Sequence, residues 1–203
     1  MKSIKILLIT IFFSFNLFGQ ECIHTSLSNN FDFKINLTRI KTSYEFGDSC
    51  SVTFIISSKD KKSNQQFTFG TPHLYDGVFK NCENVRSNVT GLNKNNEVID
   101  NDFGDLIVED FNFDSLDDFA IKNDSGGNGG PTYSFYIQNI SGQFEFNDYL
   151  ASTMEFFPSL VDKKKMTLTT FVHTSAYKQC KTIFLYDLDK KLWVIKKRTF
   201  VKA

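Results

Sequence analysis

Residues 105–121 read DLIVEDFNFDSLDDFAI, and this stretch decides the fold. Leu106, Ile107 and Val108 form a short apolar run ending at Glu109, which suits a strand buried on both faces. Residues 110–118, DFNFDSLDD, are too polar to continue that strand. Phe119 and Ile121 then resume an alternation of period two. The pattern is strand, acidic loop, strand, with no helical spacing.

The same alternation extends in both directions. Phe31, Phe33, Ile35 and Leu37 alternate with polar residues, as do Val52, Phe54 and Ile56. Tyr133, Phe135 and Ile137 follow, then Phe144 and Phe146. Leu168 opens a further stretch, before Ile183 to Tyr186 and Leu192 to Ile195. Tyr149 to Phe157 offers one short helix ahead of Pro158. Lys59 to Gln66 and Leu92 to Asn96 read as polar loops, and no Pro/Ser/Gly linker divides the chain. Residues 135–144 and 183–192 share a strand–turn–strand pattern. Repeated hairpins of this kind suggest propeller-like blades. The expectation is a single all-β domain over residues 21–203, built of antiparallel hairpins and propeller-like, with a β-sandwich as the alternative.

The first twenty residues read as an export signal. Lys2 and Lys5 form a basic start, and Ile6 to Phe18 is interrupted only by Thr10, Ser14 and Asn16. That run is short for a membrane span, which needs about twenty apolar residues. It matches the apolar centre of a secretory signal, cleaved near Gly19, Gln20 or Glu21. Cys22 raises lipid anchoring, but Glu21 stands where a lipoprotein signal wants a small residue. Soluble export, periplasmic or secreted, is preferred. No other segment is long and apolar enough to span a bilayer.

Four cysteines, Cys22, Cys50, Cys82 and Cys180, remain after such cleavage. None forms a CxxC pair, which argues against a zinc ribbon or thioredoxin-type site. In an exported chain they suggest two disulfides, with three pairings open. The formal charge is zero, from 23 Lys+Arg and 23 Asp+Glu, which argues against a uniformly basic nucleic-acid binder. That zero is a sum of blocks. Residues 95–121 hold nine acids and no Lys or Arg, whereas residues 162–203 hold eleven Lys+Arg and three acids, 11 − 3 = +8. The basic C-terminal strands are a candidate face for an acidic partner. The abundance of Phe, 23 residues, is read as composition and not as a ligand site.

The acidic loop carries most of the chemistry. Asp110, Asn112, Asp114 and Asp118 occupy positions 1, 3, 5 and 9 of a calcium-type loop, and Leu116 at position 7 offers its backbone carbonyl. Hard Ca²⁺ takes six to eight oxygens, and three carboxylates converging without a cation repel one another. The loop is not an EF-hand, because Ser115 stands in place of Gly and Ile121 in place of the closing Glu. Phe111 and Phe113 are read as core anchors. Asp100, Asp102 and Asp105 are read as a solvated turn in preference to further ligands. Gly126 to Pro131 is no P-loop, since no GK[ST] follows. It reads as a tight turn, with packing against the acidic loop as the functional alternative.

DLIVEDFNFDSLDDFAI, then GNGGPTYSFYI and the hairpin to Phe146, resemble exported bacterial calcium-binding proteins. Those proteins pair a DxNxDGxxD loop with a GNGGxxY segment. The family resembles periplasmic immunity proteins that bind and inhibit peptidoglycan hydrolases delivered by type IV secretion. Less closely, the loop resembles the calcium loops of FG-GAP propeller repeats. The resemblance covers roughly residues 105–200 and leaves 21–95 without a motif. Ser115 departs from the family's Gly. The resemblance implies a propeller-like fold, calcium and a protein partner, a peptidoglycan hydrolase by analogy.

No HExxH, GxSxG or Walker pattern surrounds His24, His73 or His173. The acidic cluster is spaced for a metal better than for glycoside hydrolysis. The chain is therefore read as a binder without catalytic residues. Its leading function is an exported calcium-binding interaction module that inhibits a cell-wall hydrolase. The alternative is a surface or adhesive module whose calcium is purely structural. His173, Ser175 and Tyr177, in HTSAY between two strands, form a candidate partner loop, with an ordinary surface turn as the bland reading. Trp193 is read as a core residue of its strand.

Overall fold

The computed structural model describes residues 17–41, 48–60, 64–69, 76–79, 81–94 and 97–203. Most of the expected export signal, residues 1–16, and His73 lie outside the described residues. Residues 17–20 are described and open the first strand.

Among the described residues thirteen strands form three sheets, each drawn from a contiguous part of the chain. The first is an antiparallel meander of β1 (Leu17–His24), β2 (Phe31–Ile40), β3 (Ser49–Ser58) and β4 (Asn64–Phe69). The middle sheet has the order β5 (Val85–Ser87), β6 (Leu106–Glu109), β7 (Asp118–Gly127), β8 (Gly130–Gln138), β9 (Phe144–Phe146). Its β5–β6 pair is parallel and the others are antiparallel. The third is again a meander: β10 (Leu160–Asp162), β11 (Thr167–Ser175), β12 (Lys178–Asp187) and β13 (Leu192–Lys202). Among the described residues no strand order closes into a ring, so the sandwich alternative describes the molecule better than propeller blades.

Alternation explains the layering. Phe33, Ile35 and Leu37 on β2 lie opposite Ile56, Phe54 and Val52 on β3, and all six are buried. They pack on Leu106, Val108, Phe119 and Ile121 of the middle sheet. Ile107 and Ala120 point the other way, into a second core with Tyr133, Phe135, Leu168, Phe184 and Trp193. A strand with both faces covered must be apolar throughout, which is why Leu106 to Val108 is an unbroken run. Each buried Phe or Leu contributes about 1.5–3 kcal/mol of transfer free energy. The expected helix is a single π-turn, Leu150–Met154, whose Leu150 and Met154 reach the second core.

Two local expectations change. Gln65 and Gln66, assigned to a loop by polarity, lie in β4 as partners of Ile56 and Ile55. Two disulfides were expected, but the bond formed is Cys22–Cys82, which fastens β1 to the segment entering β5. Cys50 and Cys180 are thiols. They belong to the two outer sheets, on opposite sides of the middle one, so they cannot reach each other.

Candidate functional site

The acidic loop joins β6 to β7 and folds back on itself through its own carboxylates. Asp110 Oδ1 accepts the Asp114 N–H at 3.1 Å, and Oδ2 accepts the Ser115 N–H at 3.1 Å. Asn112 Oδ1 accepts the Asp114 N–H at 3.3 Å, while Asp114 Oδ1 accepts that of Leu116 at 2.8 Å. Asp118 Oδ2 accepts the Phe111 N–H at 2.8 Å. Each short acidic side chain thus replaces a ladder partner that the turning backbone has lost. Phe113 (φ 63°) and Ser115 (φ 68°) take left-handed conformations, so position 6 has the backbone a Gly would adopt without strain.

Burial and like charge shape the electrostatics. Asp110, Asn112 and Asp118 are buried, whereas Asp114 is exposed. Burial pushes the Asp118 carboxyl well above the ordinary carboxylate range, and the charges of Asp114 and Asp110 push it further. Burial also raises Asp110; the Ser115 N–H and Lys163 oppose the shift, and Asp114 adds to it. Lys163 Nζ lies 3.6 Å from Glu109 Oε1 and 3.9 Å from Asp110 Oδ2, on a largely exposed side chain. The Asp110 and Asp114 carboxylates thus disfavour the charged form of Asp118, and Asp114 disfavours that of Asp110. The oxygens of all three, with the Asn112 amide and the Leu116 carbonyl, are the hard donor set a divalent cation such as Ca²⁺ uses.

Asp117 belongs to the scaffold. Its Oδ2 accepts the Ser28 hydroxyl at 2.5 Å, and its N–H donates to Gln138 Oε1 at 3.1 Å. Among the described residues the group that brings three His, Cys or carboxylate ligand atoms within 4.8 Å of one another is Cys22, His24 and Glu83, and the carboxylates of Asp110, Asp114 and Asp118 are not drawn together that closely. The Cys22 sulfur is already bonded to Cys82, which leaves an imidazole and one exposed carboxylate.

The partner-loop residues lie at the far end of β7 from the acidic loop. Gly127 and Gly130 pair across the tip of the β7–β8 hairpin. A Cβ at Gly130 would stand 2.2 Å from the Asp100 carbonyl, so the tip accepts no side chain there. The Gly-rich turn packs on Asn101, whose Nδ2 donates to the carbonyls of Gly129 at 3.1 Å and Phe171 at 2.9 Å. It does not pack on the acidic loop. Beside it stands the β11–β12 hairpin. His173 meets Gln179 at 2.9 Å between ring and amide nitrogens, and Tyr177 is 78% exposed at the turn. Asp100, Gly127, Asn128, His173 and Ser175 line a cleft of about 410 Å³. The sequence-assigned metal residues are therefore one group and His173, Ser175 and Tyr177 another, separated by a strand roughly 30 Å long.

The fold has a precedent. This chain has the fold of a Xanthomonas type IV secretion system related protein. The match covers 93% of this chain and 83% of that one, with 13% sequence identity and a TM-score of 0.56. No family model matches the sequence, and no curated protein matches it.

Two features were not anticipated. Trp193 is buried as expected, yet its Nε1 has no hydrogen-bond partner. It lies at a cleft of about 310 Å³ that also takes in Asn112, Tyr149 and Tyr186. The second is a groove of about 780 Å³ on the third sheet, on the face turned from the core, where Lys163, Lys164, Lys165, Lys181 and Lys196 surround Ile183. Only its charge was legible, as the basic block of residues 162–203. Among the described residues no helix is long and apolar enough to cross a membrane.

Proposed function

We propose that this chain is an exported, calcium-binding protein-interaction module that inhibits a cell-wall hydrolase and performs no turnover of its own. The observation that carries this reading is the end formed by two hairpin tips. There an exposed Tyr177 stands beside the His173–Ser175 cleft on a rigid two-strand support. A protruding aromatic at the tip of a hairpin suits insertion into a concave partner site. The fold it shares with a type IV secretion system related protein is consistent with a secretion-associated interaction module. Asp110, Asn112, Asp114, the Leu116 carbonyl and Asp118 would hold the calcium, and the ion would neutralise their mutual repulsion. At that distance from the tips the calcium acts on stability and does not touch the partner. The third sheet's lysine groove adds a field that attracts an acidic partner.

The test has two arms. Adding Ca²⁺ should raise the thermal midpoint and chelator should lower it, with no response in Asp110→Asn/Asp114→Asn. An unchanged midpoint removes calcium from the proposal. Pull-down from periplasm followed by a muramidase inhibition assay tests the partner, with Tyr177→Ala expected to weaken capture and inhibition. Recovery of no hydrolase, and no inhibition, rejects the inhibitor role.

One observation favours the adhesive alternative. Tyr149, Tyr186 and Trp193 meet Gln138, Asn139 and Asn147 in the smaller cleft, and aromatic faces with carboxamides suit a sugar ring. Glycan binding lost in Tyr186→Ala, with no hydrolase recovered, would select that reading.

A further inference from the structure

The middle sheet buries a charged cluster that the binding function leaves unused. The Lys122 side chain is 2% exposed, and its Nζ lies 2.7 Å from Asp105 Oδ1 and 2.8 Å from Asp102 Oδ1. Lys122 and Asp105 face each other one step beyond the last β6–β7 pair, Leu106 with Ile121, and the Lys122 N–H donates to the Asp105 carbonyl at 3.0 Å. Asp105 Oδ1 also accepts the Asn84 amide at 3.0 Å. Asp105 Oδ2 is buried and has no hydrogen-bond partner. Tyr133 closes the cluster, its hydroxyl donating to the Gly104 carbonyl and accepting the Phe103 N–H.

We propose that Lys122 and Asp105 condense into an intramolecular isopeptide bond, with Asp102 as the proton relay. The Lys122 ammonium first gives one proton to the Asp105 carboxyl, which leaves a neutral amine. The Nζ electron pair then adds to Asp105 Cγ, and the negative charge developing on Oδ1 is met by the Asn84 N–H. Asp102 takes the second Nζ proton only once that amine has added. The Nζ–Cγ bond forms, the Cγ–Oδ2 bond breaks, and Oδ2 leaves as water carrying both protons. One ammonium and one carboxylate become one amide and one water, and no oxidant or reductant is needed.

Three features of the site favour this outcome over a persistent ion pair. The strand pairing holds amine and carboxyl in contact, which removes the encounter cost of the reaction. Burial penalises both charges, and the amide removes both. The oxygen expelled is the one with no partner. Burial also pushes the Asp105 carboxyl above its ordinary range, toward the neutral acid that an amine can attack. Asp102, partly exposed and 2.8 Å from Nζ, is placed to accept the new amide N–H.

Intact mass of the folded, full-length chain, reduced and then denatured, is the test. The expected mass is lighter by one water than the sequence counted from the observed N-terminus. Residues 95–121 hold no Lys or Arg, so trypsin should cut after Lys94 and then not before Lys163, because the amide blocks Lys122. Lys122→Arg keeps the positive charge and should have full mass, which excludes dehydration elsewhere, as at Asp76-Gly77. Asp102→Asn should also have full mass. Wild-type protein of full mass, cut normally after Lys122, overturns the proposal. Asp102→Asn protein that still loses water overturns the relay.

Discussion

Asp118 Oδ1 accepts the backbone N–H of Gln138 at 2.8 Å, so one carboxylate ties the end of the acidic loop to β8. The same side chain holds the Phe111 N–H, and it is completely buried. The residue that reads as a calcium ligand is also part of the scaffold. Asp118→Ala should lower unfolding free energy by about 2–4 kcal/mol, since two buried donors lose their acceptor. Urea denaturation in chelator checks this; a change below about 0.5 kcal/mol would reject the structural role.

Ser115 holds φ 68°, a conformation that costs a side-chain-bearing residue about 1–2 kcal/mol. Glycine avoids that cost and loses about 0.5–1 kcal/mol of backbone entropy. Ser115→Gly should therefore stabilise the protein by about 0.5–1 kcal/mol. The calcium midpoint should move to lower concentration. Calorimetry with a calcium titration measures both.

His24 is buried, with its Nε2 2.8 Å from the Cys82 carbonyl. Burial holds the imidazole below its ordinary range, and the carbonyl contact opposes that shift. The unfolded residue takes its proton near pH 6.5 and the folded one at lower pH, so stability is lost as pH falls through this window. Asp105, Asp110 and Asp118, all raised by burial, act with the opposite sign. The wild type should thus lose more stability than His24→Gln between about pH 7 and about pH 5. Parallel urea midpoints for the two proteins would show the reverse order if the imidazole were not the cause.

The Cys22–Cys82 bond spans a sequence separation of 60 residues. Chain-entropy arguments put a bond of that span at about 4 kcal/mol. Cys22→Ala/Cys82→Ala should lose about that much, and reductant should not lower its stability further. Denaturation with and without reductant decides it.

The strands were legible because alternation reports burial on one face, as at Phe33, Ile35 and Leu37. The unbroken run Leu106 to Val108 also announced a strand covered on both sides. Stacking was not legible, since hairpins of one sheet and blades of a ring share the same local pattern. Gln65 and Gln66 were missed because an edge strand tolerates polar residues on its open side. Asp110 and Asp114 showed in the motif; the tie of Asp110 to Lys163 did not, because that residue arrives from the third sheet. Lys122 gave no signal, as a lysine one place beyond Ile121 reads as the solvent side of the alternation. Only the fold shows Asp102 and Asp105 waiting for it.

Layering also sets an order of events during synthesis. Each sheet is contiguous in the chain, so the first can pair its strands before the second exists. Its Phe33–Ile35–Leu37 face then has nothing to rest on until β6 and β7 arrive. The middle sheet in turn leaves Ile107, Tyr133 and Phe135 bare until the final forty or so residues are made. A growing chain of this design presents a sticky apolar face at every intermediate length. Such faces make every intermediate length prone to aggregation until the last hairpin closes the stack.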